Sequence, residues 1–228
     1  MSARGLPFRC RVAGDRVHVR EGGRPWRRLL PPGAAPRTPS SVGACASLLP
    51  ACGERISRLE PVSRVAALAA HVAIDGAARA LGRRSEDLVV FLWVTMTRGC
   101  ESADRKFWAT ACDDGALASP QRFVKTLPSA VAGDVALALG LRGPSIVTAG
   151  GRAPPAGVPA AARDAADGAA DLLLCLTVVE DEEDAQSPRI LAVALPAGSH
   201  AAPGRRRATL RPMRPRGGGR RGGPTLGV

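Results

Sequence analysis

The chain has 228 residues, 45% of them hydrophobic but only 3% aromatic and none Tyr, so any core must be built mostly from Ala, Val and Leu. Its net charge of +12 sits at the ends: residues 1–39 hold nine Arg against Asp15 and Glu21, residues 204–228 hold eight Arg and no acid, and the middle is left at −3. That length allows one good core with irregular ends, no apolar run reaches membrane length, and six cysteines without a Cys-x-x-Cys spacing exclude a zinc ribbon or a thioredoxin motif.

Gly 26 and Pro 20 are high for a compact domain and predict long irregular segments. Lysine occurs only at Lys106 and Lys125. The excess of Arg, Ala, Gly and Pro is that of a GC-rich genome. The Met-Ser-Ala-Arg-Gly start lacks an apolar signal core, so a reducing cytoplasm is expected, with free thiols at Cys10, Cys45, Cys52, Cys100, Cys112 and Cys175. No membrane association, cofactor or metal site is expected.

Residues 6–20 read as a hairpin: Phe8, Cys10 and Val12 alternate with arginines, Gly14-Asp15 turns, and Val17 and Val19 flank His18. His18 is a polar-face strand residue in this reading. Residues 22–53 read as a linker broken by Pro25, Pro31-Pro32, Pro36 and Pro39, with Trp26 as a loop anchor. Residues 1–53 together form a hairpin and a mostly irregular linker.

Residues 54–82 contain the clearest helix, started by Glu60-Pro61-Val62-Ser63, with Val65, Leu68, Ala69, Val72 and Leu81 near a helical period. His71 is a helix-face residue. Residues 87–97 are an unbroken apolar run, which predicts a central strand buried on both faces. Glu101–Cys112 reads as the next helix, with Phe107 and Trp108 as packing anchors, and Cys100 and Cys112 as structural thiols.

A loop closed by Ser119-Pro120 follows. Pro128-Ser129 then opens a helix with Ser129 as its candidate cap. Ala130, Val131, Val135, Ala136, Leu137 and Leu139 supply its apolar face, and Gly140 stops it. Arg142-Gly143-Pro144 turns into a short buried strand, Ser145–Ala149, that runs into Gly150-Gly151. Residues 152–170 are rich in Ala and Pro and admit a helix only from about Pro159. Residues 171–179 and 190–195 are two more strands. Glu180–Asp184 is read as a solvated acidic loop rather than a metal site. Residues 199–228 form a low-complexity Arg/Gly-rich tail, expected to be disordered.

Residues 119–151 resemble the β-ketoacyl synthase (condensing enzyme) family of fatty-acid and polyketide synthesis. The matching residues are the Ser119-Pro120…Phe123 lead-in, the Pro128-Ser129-Ala130…Ala132-Gly133 helix start, and Leu139-Gly140-Leu141-Arg142-Gly143-Pro144-Ser145. Weaker matches keep the family's order. Arg58-Leu59…Val62–Ala70 resembles its early helix, with Val62 where an aromatic is usual. Residues 87–97 resemble its second strand, whose Gly-rich turn is reduced here to Gly99. Ala169-Ala170-Asp171 and Ile190–Leu195 resemble its two later strands. The resemblance spans about residues 55–195. It implies an α/β, thiolase-like half domain over residues 54–198, with a mixed, mainly parallel sheet, helices, and disordered basic ends.

In that family the strand after Gly-Pro-Ser delivers a nucleophilic cysteine. An ungapped count places that position at Arg152, next to Gly151, and neither is cysteine. Two histidines supplied by the family's C-terminal half are also expected for catalysis, and His18, His71 and His200 match neither context. Acyl transfer by the family mechanism is therefore expected to fail. The chain resembles the degenerate, chain-length-factor-like branch. The resemblance implies a non-catalytic partner of an active ketosynthase, or a homodimer, with an acyl carrier protein as a further contact. The family pairs through the strand before the nucleophile, which would bring Ile146 and Val147 to an interface. Two other readings stand beside this one: nucleic-acid or polyanion binding through the Arg-rich ends, and a truncated remnant without function.

Overall fold

A computed structural model describes residues 7–13, 16–29, 56, 58–96, 100–113, 119–150, 170–180 and 188–197. Its strands are β1 (Phe8–Ala13), β2 (Arg16–Glu21), β3 (Arg27–Arg28), β4 (Val90–Met96), β5 (Ser145–Ala149), β6 (Leu172–Val179) and β7 (Arg189–Pro196). Its helices are α1 (Pro61–Ala80), α2 (Glu101–Asp113), α3 (Pro120–Thr126) and α4 (Pro128–Leu139), with a 3-10 turn at Ser85–Asp87. The strands form one sheet in the order β3-β2-β1-β7-β6-β4-β5. β4 runs parallel to both β5 and β6, and every other pairing is antiparallel, so the sheet is mixed but not mainly parallel as expected, because the hairpin and β7 join it antiparallel. The fold is mixed α/β.

The expected strands follow from their side chains. In β4, every residue except Trp93 is buried, and β6 turns Leu172, Leu173, Leu174, Leu176 and Val178 inward. Such two-sided burial suits strands at the centre of a sheet. β1, β2 and β7 instead alternate, burying Phe8, Cys10 and Val12, then Val17 and Val19, then Ile190, Ala192 and Ala194. β1 pairs directly with β7, Cys10 opposite Ala192, so the hairpin extends the same sheet as the later strands.

α1 starts where the sequence suggests, with Glu60 at the N-cap and Pro61 in its first turn. Its buried face is mostly Ala66, Ala67, Ala69, Ala70, Ala73 and Ala77. Small side chains let the helix lie close on β1 and β7, which compensates for the shortage of aromatic volume. A second, smaller apolar cluster on the other side of the sheet joins Phe91 and Leu173 to Trp93, Cys175 and Leu195. Among the described residues no helix is long and apolar enough to cross a membrane.

Several expectations are corrected. Pro120–Thr126 is a helix, not a loop, because a proline fits the first helical turn. Ser129 is not a cap: Pro128 takes the first helical position, Leu127 the N-cap, and no side chain caps this end. Leu137 is 73% exposed, because Val131, Asp134, Val135 and Ala138 define the buried stripe of α4 and residue 137 falls outside it. Trp108 is 57% exposed, with its ring edge-on to Phe107, and so is not the buried anchor expected. Arg27-Arg28, in the expected linker, adds a short third strand to the hairpin. β5 is a half-exposed edge strand rather than a buried one, since among the described residues it pairs with β4 alone. The turn at Gly14-Asp15, Cys45, Cys52, the helix near Pro159, Gly151, Arg152, Asp181–Asp184, His200 and the tail lie outside the described residues.

Candidate functional site

Parallel strands gather their carboxyl ends at one rim of a sheet, the usual place for chemistry in such folds. β4 and β5 are joined there and at their start. Val90 N–H donates to the Arg142 carbonyl at 2.8 Å, and Leu92 N–H to that of Pro144 at 3.0 Å. Gly143 has a φ of 136°, and a side chain there would collide with the Val90 carbonyl. Only glycine satisfies both demands, so the Gly-Pro-Ser turn is fixed by its approach to β4. At the far end Gly150 N–H donates to the Met96 carbonyl at 3.0 Å. The expected nucleophile position, Gly151 or Arg152, lies outside the described residues.

Beside this rim lies a polar group that sequence reasoning missed. Trp93 Nε1 donates to Thr148 Oγ1 at 3.2 Å, and the Thr95 and Thr148 hydroxyls share a hydrogen bond of 3.0 Å. The available signal was a tryptophan inside an apolar strand, since a buried indole N–H needs an acceptor.

The end of β6 meets the start of α2. Glu180 Oε2 accepts the Glu101 N–H at 2.7 Å, so this acid is part of the fold, in contrast to the solvated loop expected for it. Burial raises the Glu180 carboxyl, the Glu101 amide opposes that, and the Glu101 charge adds to the rise. Cys100 is buried and shares a 3.4 Å contact with Ser102 Oγ. Burial pushes its thiol up, against the Ser102 bond, and the Glu180 charge pushes it further. A thiol held protonated in this way is a poor nucleophile, as the structural reading of Cys100 requires. Cys112 is exposed, Cys10 lies in β1 and Cys175 in β6. His18 is in β2 and His71 in α1, on different elements from Cys100. Among the described residues no group of three or more His, Cys, Asp or Glu is placed to hold a metal.

A cleft of about 570 Å³ opens between the start of α1 and helices α2 and α3. Glu60, Lys106, Thr110, Arg122 and Lys125 line it. Lys106 pairs with Glu60 at 3.0 Å, Lys125 with Asp134 at 2.7 Å, and Arg122 donates to the Thr110 hydroxyl. Such a lining equips the cleft to bind polar groups.

No family model and no curated protein matches the sequence. Among solved structures, the chain is similar to one of "Ketosynthase (ApeO) in Complex with its Chain Length Factor (ApeC)" from Xenorhabdus doucetiae. The TM-score is 0.46 and the identity 15%, over 69% of this chain and 71% of that chain. The strand order and directions define the class as a mixed α/β fold.

Proposed function

We propose that this chain is a β-ketoacyl synthase-like protein without acyl-transfer activity, acting as the partner of an active ketosynthase in fatty-acid or polyketide synthesis. The observation that carries the reading is β5. It follows the Gly-Pro-Ser turn, ends the sheet order, and pairs only with β4 among the described residues. Ser145, Ile146 and Ala149 are exposed on it, Ile146 to 40%. An open edge with an apolar side chain favours association, and a second sheet pairing along it satisfies its free backbone groups. The sequence supports the non-catalytic part, since an ungapped count puts Arg152, not cysteine, at the nucleophile position. An acyl carrier protein would reach the complex through the active partner, in the cytoplasm where these pathways run.

The test is co-expression with the ketosynthase of the source organism. Co-elution is expected for the wild type and loss of co-elution for Ile146→Lys, with the far-UV circular dichroism of the chain unchanged. Absence of co-elution by the wild type, or acyl transfer by the chain alone, would overturn the proposal.

A further inference from the structure

The hairpin at the other edge of the sheet gathers five arginines on one face. The register sets Arg9 opposite Arg20 and Arg11 opposite His18, and alternation adds Arg16 to the same side. β3 brings Arg28 opposite His18. The reverse side of β1 and β2 is apolar, with Cys10, Val12, Val17 and Val19 buried. Five arginines therefore surround one histidine on three short strands.

Apart from one contact between Arg11 and Trp26, the arginines of this arrangement find little within the fold to offset their charge. Like charges directly opposite one another destabilise a strand pair. None of the five arginines has a carboxylate partner among the described residues. Arg20 Nε and His18 Nδ1 are buried without a hydrogen-bond partner. Arg11 lies over the Trp26 ring, 5.2 Å from its centroid, which holds one guanidinium in place. His18 is lowered from the usual imidazole value by burial, then by the charges of Arg11, Arg28 and Arg16. A local rule broken without compensation inside the fold marks a functional surface.

The residue types select the ligand. The planar fork of arginine matches phosphate oxygens two at a time. Strands about 4.8 Å apart, with same-face residues about 7 Å apart along each, present the guanidinium groups as a grid. Such a grid suits successive phosphates of a flexible chain better than one compact ion. No Asn or Gln on this face is available to read base edges, and Arg11 already covers the one aromatic ring. We infer that the outer face of the β1–β3 hairpin binds the phosphate backbone of single-stranded nucleic acid, without sequence preference. This surface lies at the opposite edge of the sheet from β5.

Fluorescence anisotropy of the full-length protein with labelled oligothymidylate of about 12 nucleotides, measured across a salt series, tests this. Contact with about four phosphates gives a log–log salt slope contribution near −3. Arg9→Gln/Arg20→Gln should weaken binding about tenfold and reduce the slope by about 1.4, while the tail contributes equally to both proteins. Proton NMR of the His18 ring in the wild type supplies the second readout: its pKa should rise when phosphates offset the surrounding arginines. Unchanged affinity and slope in the double variant, or a His18 resonance indifferent to saturating oligonucleotide, overturns the inference. So does binding of inorganic polyphosphate with none of the oligonucleotide.

Discussion

Glu180 Oε2 accepts the Glu101 backbone N–H at 2.7 Å, so the acid that ends β6 closes the first turn of the helix that follows β4. A carboxylate at a helix start satisfies an otherwise unpaired donor and meets the positive end of the helix dipole. Here the same carboxyl is half-buried, with Oε1 lacking a hydrogen-bond partner, and burial raises its pKa. A raised carboxyl binds its proton more tightly in the folded chain than in the unfolded one. The stability it confers is full below the ordinary Glu value and is lost as pH rises through the raised value. Urea denaturation across mildly acidic pH should show that loss in the wild type and a flatter profile in Glu180→Gln. Glu180→Ala should cost about 1 kcal/mol by removing the cap. An identical pH slope in Glu180→Gln would sink the assignment.

Asp171 joins the starts of β6 and β4. Its Oδ2 accepts the Val89 N–H at 3.0 Å and its Oδ1 pairs with Arg83 at 3.0 Å. The two roles are unequal. Arg83 is 42% exposed in its side chain, so its pairing is screened and contributes under about 1 kcal/mol. Asp171→Ala leaves a partly buried N–H without its acceptor, a loss of about 1–3 kcal/mol. Thermal or urea unfolding should rank Asp171→Ala well above Arg83→Ala. Equal costs would mean that the ion pair, and not the amide, is the anchor.

What was legible in the sequence divides along the same lines. Apolar runs at 90–96 and 172–179 and alternation at 8–21 depend only on burial, and burial is written in side-chain type. The Gly140 stop and the Gly143 turn were also readable, because positive φ has few solutions. The misreadings at Leu137, Trp108 and β5 concern which surface meets another element. Periodicity ranks hydrophobic positions but does not say that β5 lies at an edge, which depends on strand order. Glu180 was misread because four further acids follow it, and composition assigned all five to solvent. The arginines of the hairpin were visible as charge, but their gathering around His18 depends on the β1–β2 register.

Gly76 tests how tightly α1 seats on β1. An added Cβ would lie 2.5 Å from two ring carbons of Phe8, which is only 6% exposed. Alanine is the better helix former by about 1 kcal/mol, so propensity alone favours the substitution. Overpacking against a buried ring costs about 1–3 kcal/mol and wins, because Phe8 is held between β1 and the helix. Gly76→Ala should therefore destabilise the chain in equilibrium unfolding. In a Phe8→Leu background the same change should cost less, since the obstructing ring is gone. Additive effects in the double variant would show that Phe8 is not what limits the position.

Asp134 sits in α4, 8% exposed, with Oδ1 paired to Lys125 at 2.7 Å and Oδ2 without a hydrogen-bond partner. Lys125 is 37% exposed in its side chain. Removing one partner is therefore unlike removing the other. Lys125→Ala strands a buried carboxylate, and a loss of about 1–3 kcal/mol is expected after allowance for the solvent that reaches the lysine. Asp134→Ala releases a lysine that can turn into water, and it replaces a poor helix former with the best one, a gain of about 0.5 kcal/mol. Its net cost should be under about 1 kcal/mol. Chemical denaturation of the two single variants and the double variant measures the asymmetry. If Asp134→Ala proved the more damaging, the carboxylate would be holding α4 through contacts other than Lys125.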